Sequence, residues 1–263
     1  MGRPPHPRDA PTDPFPLSRA ASALPPFLAM EALERAQALE REGADIVHLE
    51  LGEPDFDPPE PVVRAASAAI AAGCTHYTHS LGIAELREAI AEYYRRRYAV
   101  TVDPGQVVVT SGSSAALCLV MALLLDPGDE VLLPDPRYAC YPNLVTAHHG
   151  VPVSFPTSAA EGYRYDPAAV RARISSRTRA IVVNSPANPT GAIQDRETLA
   201  ALAELGPPLI SDEIYHGLEY ERPAPSVLEV TDRAFVLDGF SKRYAMTGWR
   251  LGWLVAPRRY VRP

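Results

Sequence analysis

Apolar positions follow two different rhythms along this chain, and the change between them divides it. Residues 29–42 carry an amphipathic helix pattern that Gly43 ends. A short apolar, strand-like run at 46–51 leads into the turn-rich stretch Gly52-Glu-Pro-Asp-Phe-Asp-Pro-Pro. The pattern then predicts a helix over 60–72, a loop from Cys74 to Gly82, and a helix with Ile83, Leu86, Ile90 and Tyr94 on one face. From Gln106 onward, short continuously apolar runs alternate with helical stretches. Strands are expected at 107–110, 130–133, 151–155, 180–184, 209–211, 234–237 and 251–255, with helices at 114–125, 167–174 and 196–205 among them. That alternation predicts an α/β fold, a mainly parallel sheet sandwiched by helices. In such sheets ligands bind beyond the carboxyl ends of the strands.

Three regions follow from the same pattern. Residues 1–26 hold many of the 28 prolines without periodicity and read as a Pro-rich flexible arm. Residues 27–50 supply a helix and strand belonging to a smaller domain, and 51–263 form the large domain. With 263 residues and 46% hydrophobic side chains, the chain can bury a sizeable core. A net charge of −7 without a basic block excludes a nucleic-acid footprint. The cluster Arg95-Arg96-Arg97 is expected to end a helix, where cations suit the dipole. No apolar run is long enough to span a bilayer and no secretory signal opens the chain, so a cytoplasmic protein is expected. Cys74, Cys118 and Cys140 show no CxxC pairing and are expected to be buried free thiols in a reducing compartment. His76 with His79, and His148 with His149, lack the companion ligands of a metal site.

One side chain stands out chemically. Lys242 is the only lysine among 25 lysines and arginines. It is either a chance surface cation or an amine kept for work a guanidinium cannot do, such as forming a Schiff base. Four other motifs bear on the choice. Thr110-Ser-Gly112-Ser113-Ser114 runs from strand to helix and suits a phosphate, though it is equally an ordinary N-cap. Asn184-Ser-Pro-Ala-Asn188-Pro-Thr-Gly191 is a rigid loop that fixes an Asn side chain at the sheet edge, and its Asn-Pro bond is a candidate for the cis form. Asp212 ends the apolar run at 209–211, where a carboxylate needs a cation; a nearby arginine or a protonated ring nitrogen would serve. Arg250 follows Lys242 by eight residues and suits a phosphate. Lysine for a carbonyl, arginine for a phosphate, aspartate for a pyridinium, and asparagine and tyrosine for a phenolate together describe pyridoxal phosphate.

The motifs also resemble a known family. Ser241-Lys242-x-Tyr-Ala-Met-Thr-Gly-Trp-Arg-Leu-Gly-Trp is similar to the cofactor-lysine motif of the class I/II aminotransferases, the fold-type I pyridoxal-phosphate enzymes. Asn188-Pro-Thr-Gly191, Asp212-Glu-Ile-Tyr215, His48-Leu-Glu-Leu-Gly52-Glu-Pro-Asp-Phe and the stretch from Tyr77 to Ile90 match in family order, over roughly residues 25–257. The resemblance implies that Lys242 forms the Schiff base and that Asp212 keeps the pyridine nitrogen protonated. It implies that Asn188 and Tyr215 bond the phenolic oxygen and that Tyr138 stacks on the ring, although Tyr138 also reads as an ordinary helix-face aromatic. Gly112, Ser113, Ser114, Ser241 and Arg250 would hold the phosphate. Tyr77 would reach the neighbouring subunit's phosphate in a homodimer with shared sites, and the Gly52 backbone would face the substrate carboxylate. Gly239 departs from the pattern, since many members carry a Ser or Thr hydroxyl there.

What the resemblance implies is an aminotransferase that passes an amino group between an amino acid and a 2-oxo acid. A lyase or decarboxylase of the same fold, or a non-catalytic module binding pyridoxal phosphate, are the alternatives. The family continues past the strand at 251–255 into a segment with a carboxylate-binding arginine. This chain stops at Pro263, so a large domain with only the N-terminal part of the small domain is expected.

Overall fold

A computed structural model describes residues 15–262. Seven strands form one sheet: β1 (Val107–Thr110), β2 (Glu130–Asp135), β3 (Val151–Pro156), β4 (Thr178–Asn184), β5 (Leu209–Asp212), β6 (Phe235–Gly239) and β7 (Gly252–Val255). Their order is β1-β7-β6-β5-β4-β2-β3. From β3 through β2, β4, β5 and β6 every pairing is parallel. Only β7 runs against its neighbours, β6 and β1. The residues between β6 and β7 form tight turns rather than a crossover helix, so β7 returns beside β6 in the opposite direction. The mainly parallel α/β sheet expected from the alternation is therefore present.

Eight helices accompany the sheet among the described residues: α1 (Arg19–Ala23), α2 (Leu28–Arg41), α3 (Glu60–Ala71), α4 (Ala84–Tyr98), α5 (Ser113–Leu124), α6 (Cys140–Ala147), α7 (Pro167–Arg171) and α8 (Arg196–Ala203). Because side chains alternate across a strand, each strand feeds two apolar layers. Leu132, Ile181 and Val183 join Ile90 and Tyr94 of α4 and Leu199 of α8 in one layer. Val131, Leu133, Ala180 and Val182 join Val120 and Met121 of α5 and Val145 of α6 in the other. Helix α4 buries Ile90, Tyr94 and Tyr98, one helical turn apart, and ends where Ala99 turns left-handed at φ 56°. Its arginines end the helix as expected, and they are also paired: Arg95 and Arg96 with Glu92, and Arg97 with Glu219 at 3.2 Å.

Several expectations change. Residues 1–14 of the proline-rich arm lie outside the described residues, and the rest of the arm contains α1, capped by the Ser18 hydroxyl. The run at 46–51 is not a strand: no neighbouring strand pairs with it, and Val47 and Leu49 are 80% and 88% exposed. The cysteines are not buried thiols, since Cys74 is exposed and Cys118 and Cys140 are half-buried. Helices α7 and α8 stop two or three residues early, at Arg171 and Ala203. No helix among the described residues is long and apolar enough to cross a membrane.

Candidate active site

The polar motifs meet where the strands end. In β4 and β5, Asn184 and Asp212 are register partners, so both side chains arrive at the same edge of the sheet. Asp212 is buried, and burial pushes its carboxyl above the usual aspartate range. Tyr141 Oη donates to Asp212 Oδ2 at 2.8 Å, and the Ile214 amide donates to Oδ1 at 3.3 Å. Neither donor is a cation, so the arginine weighed from the sequence is not the partner the fold supplies. A buried carboxylate held by neutral donors is a place for a cationic group brought by a ligand.

Lys242 sits in a tight turn after β6, closed by the Tyr244 amide on the Phe240 carbonyl at 3.2 Å and the Met246 amide on the Ser241 carbonyl at 3.1 Å. Its Nζ donates to the Gly52 carbonyl at 2.6 Å. Desolvation lowers its pKa; Glu53 opposes that shift and Arg250 adds to it. A lysine so placed holds more of its free-amine form near neutrality than a surface lysine does. Gly52 belongs to a loop tied to the same region by a second bond, from the Thr247 hydroxyl to Glu53.

Beside this turn, β1 leads through Gly112 into α5. Gly112 is the N-cap at φ 83°, and no side chain caps the helix. The first-turn amides are thus left for another acceptor. Arg250, itself left-handed at φ 53°, lies directly over this point: a Cβ on Gly112 would stand 2.6 Å from Arg250 Nη2. A Cβ on Gly252 would stand 2.8 Å from the Ser113 amide, so β7 packs against the same helix start. The cradle therefore needs both glycines. Ser113 is half-buried at this start, Ser114 is exposed on the next position, and Ser241 is buried at the head of the lysine turn. Gly239 lacks a hydroxyl for a packing reason: it faces Gly252 across the strand pair, and an added Cβ would meet Gly252 Cα and the Leu251 carbonyl at 3.1 Å.

Asn188 Nδ2 donates to Tyr215 Oη at 3.3 Å, which brings together the two side chains expected to bond a phenolic oxygen. The Asn188–Pro189 bond is cis. Asn184 holds the loop: its Oδ1 accepts from the Asn188 amide at 2.6 Å, while its Nδ2 donates to the Asp212 carbonyl at 3.1 Å. Tyr138 is half-buried in the loop before α6 and not on a helix face. Its ring meets that of Tyr141 edge-on at 5.4 Å, and burial raises its phenol. Tyr141, which bonds Asp212, was passed over by the sequence reading, and Asn184 entered it only as the start of the rigid loop. Tyr141 follows Tyr138 by only three residues, and that nearness in sequence is the signal that could have found it. Tyr77 is not brought to the site. It lies fully exposed between α3 and α4.

Comparisons with known proteins agree with this geometry. The model of the family "Aminotransferase class I and II" matches residues 44–262. An aspartate/prephenate aminotransferase of Thermus thermophilus is 43% identical over 251 residues, covering 94% of this chain and 65% of that protein. A valine–pyruvate aminotransferase of Mycobacterium tuberculosis is 43% identical over 243 residues, covering 90% of this chain and 62% of that protein. Among solved structures, aspartate aminotransferase from Thermus thermophilus with maleate superposes with a TM-score of 0.91 at 43% identity, covering 94% of this chain and 66% of that one. The chain thus spans about two thirds of the length of these relatives. On the family match, the chain belongs to the class I and II aminotransferases.

Proposed function

We propose that this chain is the cofactor-holding part of a pyridoxal-phosphate-dependent aminotransferase, which moves an amino group between an amino acid and a 2-oxo acid. The observation that carries the reading is a buried Asp212 whose bonded partners among the described residues are the neutral Tyr141 hydroxyl and Ile214 amide, together with a half-buried Lys242 whose pKa desolvation lowers. When bound, pyridoxal phosphate supplies a carbonyl for an amine and a ring that withdraws electrons from the substrate's α-carbon.

The protein's own groups divide the remaining work. Lys242 Nζ would hold the cofactor through its carbonyl carbon and, when free, would take the proton from the substrate's α-carbon and deliver it to that cofactor carbon. Asp212 holds a proton on the pyridine nitrogen, which gives its buried carboxylate the missing cation. Tyr215 and Asn188, already bonded to each other, face the phenolic oxygen. Tyr138 covers the ring face. The start of α5 at Gly112 and Ser113, the hydroxyls of Ser114 and Ser241, and the Arg250 guanidinium bind the phosphate. The Gly52 backbone faces the substrate carboxylate. The exposed Tyr77 is assigned to the phosphate of a second copy, in a homodimer with shared sites. The relatives named for aspartate, prephenate and valine match this chain equally well, so the amino acid is left unspecified.

Adding pyridoxal phosphate to the purified protein should produce a visible absorption band, and Lys242→Ala should abolish it. A band of unchanged height in Lys242→Ala overturns the reading. A panel of amino acids should then bleach the wild-type band, and the amino acid that does so fastest names the donor.

A further inference from the structure

The residue after the lysine is given no part in the cofactor site, yet its side chain is packed on several sides. Consecutive side chains leave the turn in different directions. Lys242 reaches Gly52, whereas Arg243 reaches back to α4. The Arg243 guanidinium lies 5.7 Å from the ring centre of Tyr93 and 5.4 Å from that of Tyr244, and its Nη1 donates to Tyr93 Oη at 3.5 Å. On a third side it presses on the chain after β5. A Cβ on Gly217 would stand 2.7 Å from Arg243 Cδ and 2.8 Å from Nε, and Gly217 has φ 92°. Two separate segments, α4 and the chain after β5, therefore join the neighbouring Tyr244 in holding one side chain.

Behind this contact lies a cavity of about 160 Å³, lined among others by Tyr93, His216, Asp238, Phe240, Arg243 and Trp253. Asp238 is only 4% exposed there, and its Oδ1 accepts from the Gly239 amide at 2.6 Å. Burial raises this carboxyl, Glu213 and Asp212 add to the rise, and Arg243 opposes it. Arg243 thus closes the wall of a cavity holding a buried acid, immediately behind the turn that carries the reactive amine.

We propose that Arg243 is a positioning residue for Lys242: gripped by Tyr93, Tyr244 and residue 217, it fixes the back of the lysine turn so that the amine stays desolvated and aimed at the Gly52 carbonyl. The inference rests on the reading of Lys242 as the reactive residue, but its test does not require the cofactor. Lys242 is the only lysine in the chain, so an amine-selective acylating reagent followed by peptide mass spectrometry reads its protonation directly. In the cofactor-free protein, Arg243→Met frees the turn, lets water reach Nζ, and returns the amine toward the ordinary lysine range. Labelling below that range then slows about tenfold for each unit regained. Gly217→Ala drives a methyl group into the space of Arg243 from another segment and should move the labelling midpoint in the same direction. Tyr244→Phe keeps the ring under the guanidinium and should leave the midpoint at the wild-type value.

A wild-type labelling profile in folded Arg243→Met overturns the proposal. If that variant does not fold, the contrast between Gly217→Ala and Tyr244→Phe decides: no difference between them overturns it, and the expected difference supports it. Added pyridoxal phosphate should protect Lys242 from the reagent in the wild type. A lack of protection sinks the assignment of Lys242 to the cofactor, while the comparison among cofactor-free variants still reports on Arg243.

Discussion

Two regions of this molecule are built on opposite terms. Between residues 107 and 255, strands β4 and β5 are buried along nearly their whole length, and apolar layers cover both faces of the sheet. Between residues 15 and 82, helices α2 and α3 bury no residue at all, and Phe56, Ile70 and Tyr77 are 82%, 69% and 108% exposed. The reactive groups divide along the same line. Asp212, Asn188, Tyr215, Gly112 and Arg250 stand at or just beyond strand ends, with Asn188 and Tyr215 bonded to each other and Asp212 and Arg250 held by neighbouring residues. Gly52 and Tyr77 come from the exposed region, and of the two only Gly52 is tied to the site, by Lys242. Burial fixes Asp212 and Gly112, strand ends and local bonds carry the half-buried Asn188 and Tyr215 and the exposed Arg250, while two polar bonds tether the Gly52 loop and Tyr77 stands exposed.

The comparison breaks most sharply in the core. Ile181 is fully buried at the centre of β4, packed in the layer shared with Leu132 and Val183. Ile181→Ala should cost about 2–5 kcal/mol, since the surrounding strands cannot collapse onto the cavity. Urea unfolding followed by circular dichroism measures it. A loss below about 1 kcal/mol would mean that the sheet is not the stability-determining unit.

A second, smaller effect lies in the acids that the core has enclosed. Burial holds the Asp238 carboxyl well above its ordinary range, and Asp212 shifts the same way. A folded pKa above the unfolded one means that unfolding releases a proton. The cofactor-free protein therefore loses stability as pH rises from the ordinary aspartate value toward the raised one. Asp238→Asn removes one source of that loss. Its melting temperature should match the wild type below about pH 4, where aspartate is protonated in both states, and exceed it increasingly toward neutrality. A gap that stays constant with pH would rule Asp238 out as the source.

The division also explains what was legible in the sequence. The alternation of apolar strands and helices carries the sheet, because burial on both faces demands continuous apolar runs. Lys242, Asp212, Asn188 and Arg250 are legible because each is chemically unusual in its place. The run at 46–51 misled because its apolar residues imitate a buried strand, whereas nothing in the described fold pairs with it. Tyr141 escaped because a tyrosine beside a helix start looks like core, and only the fold shows its hydroxyl on Asp212. The antiparallel turn of β7 escaped because no local pattern encodes strand direction; the missing crossover helix between 240 and 251 was the available clue.

The smallest effect is expected in the exposed region. Ile70 lies on α3 at 69% exposure, although it is as large and apolar as Ile181. Ile70→Ala removes the same atoms from a side chain that water already reaches, so the change in unfolding free energy of this chain should stay within about 0.5 kcal/mol. The higher helix propensity of alanine offsets part of even that. The pair Ile181→Ala and Ile70→Ala is thus one chemical change made in two environments, and the difference between them measures the contrast directly. A second copy or a partner that covers α3 would draw the two values together, because Ile70 would then leave water on assembly. Measuring Ile70→Ala across a range of protein concentrations separates the cases. A cost that stays small throughout keeps α3 outside any interface, whereas a cost that grows with concentration places Ile70 inside one.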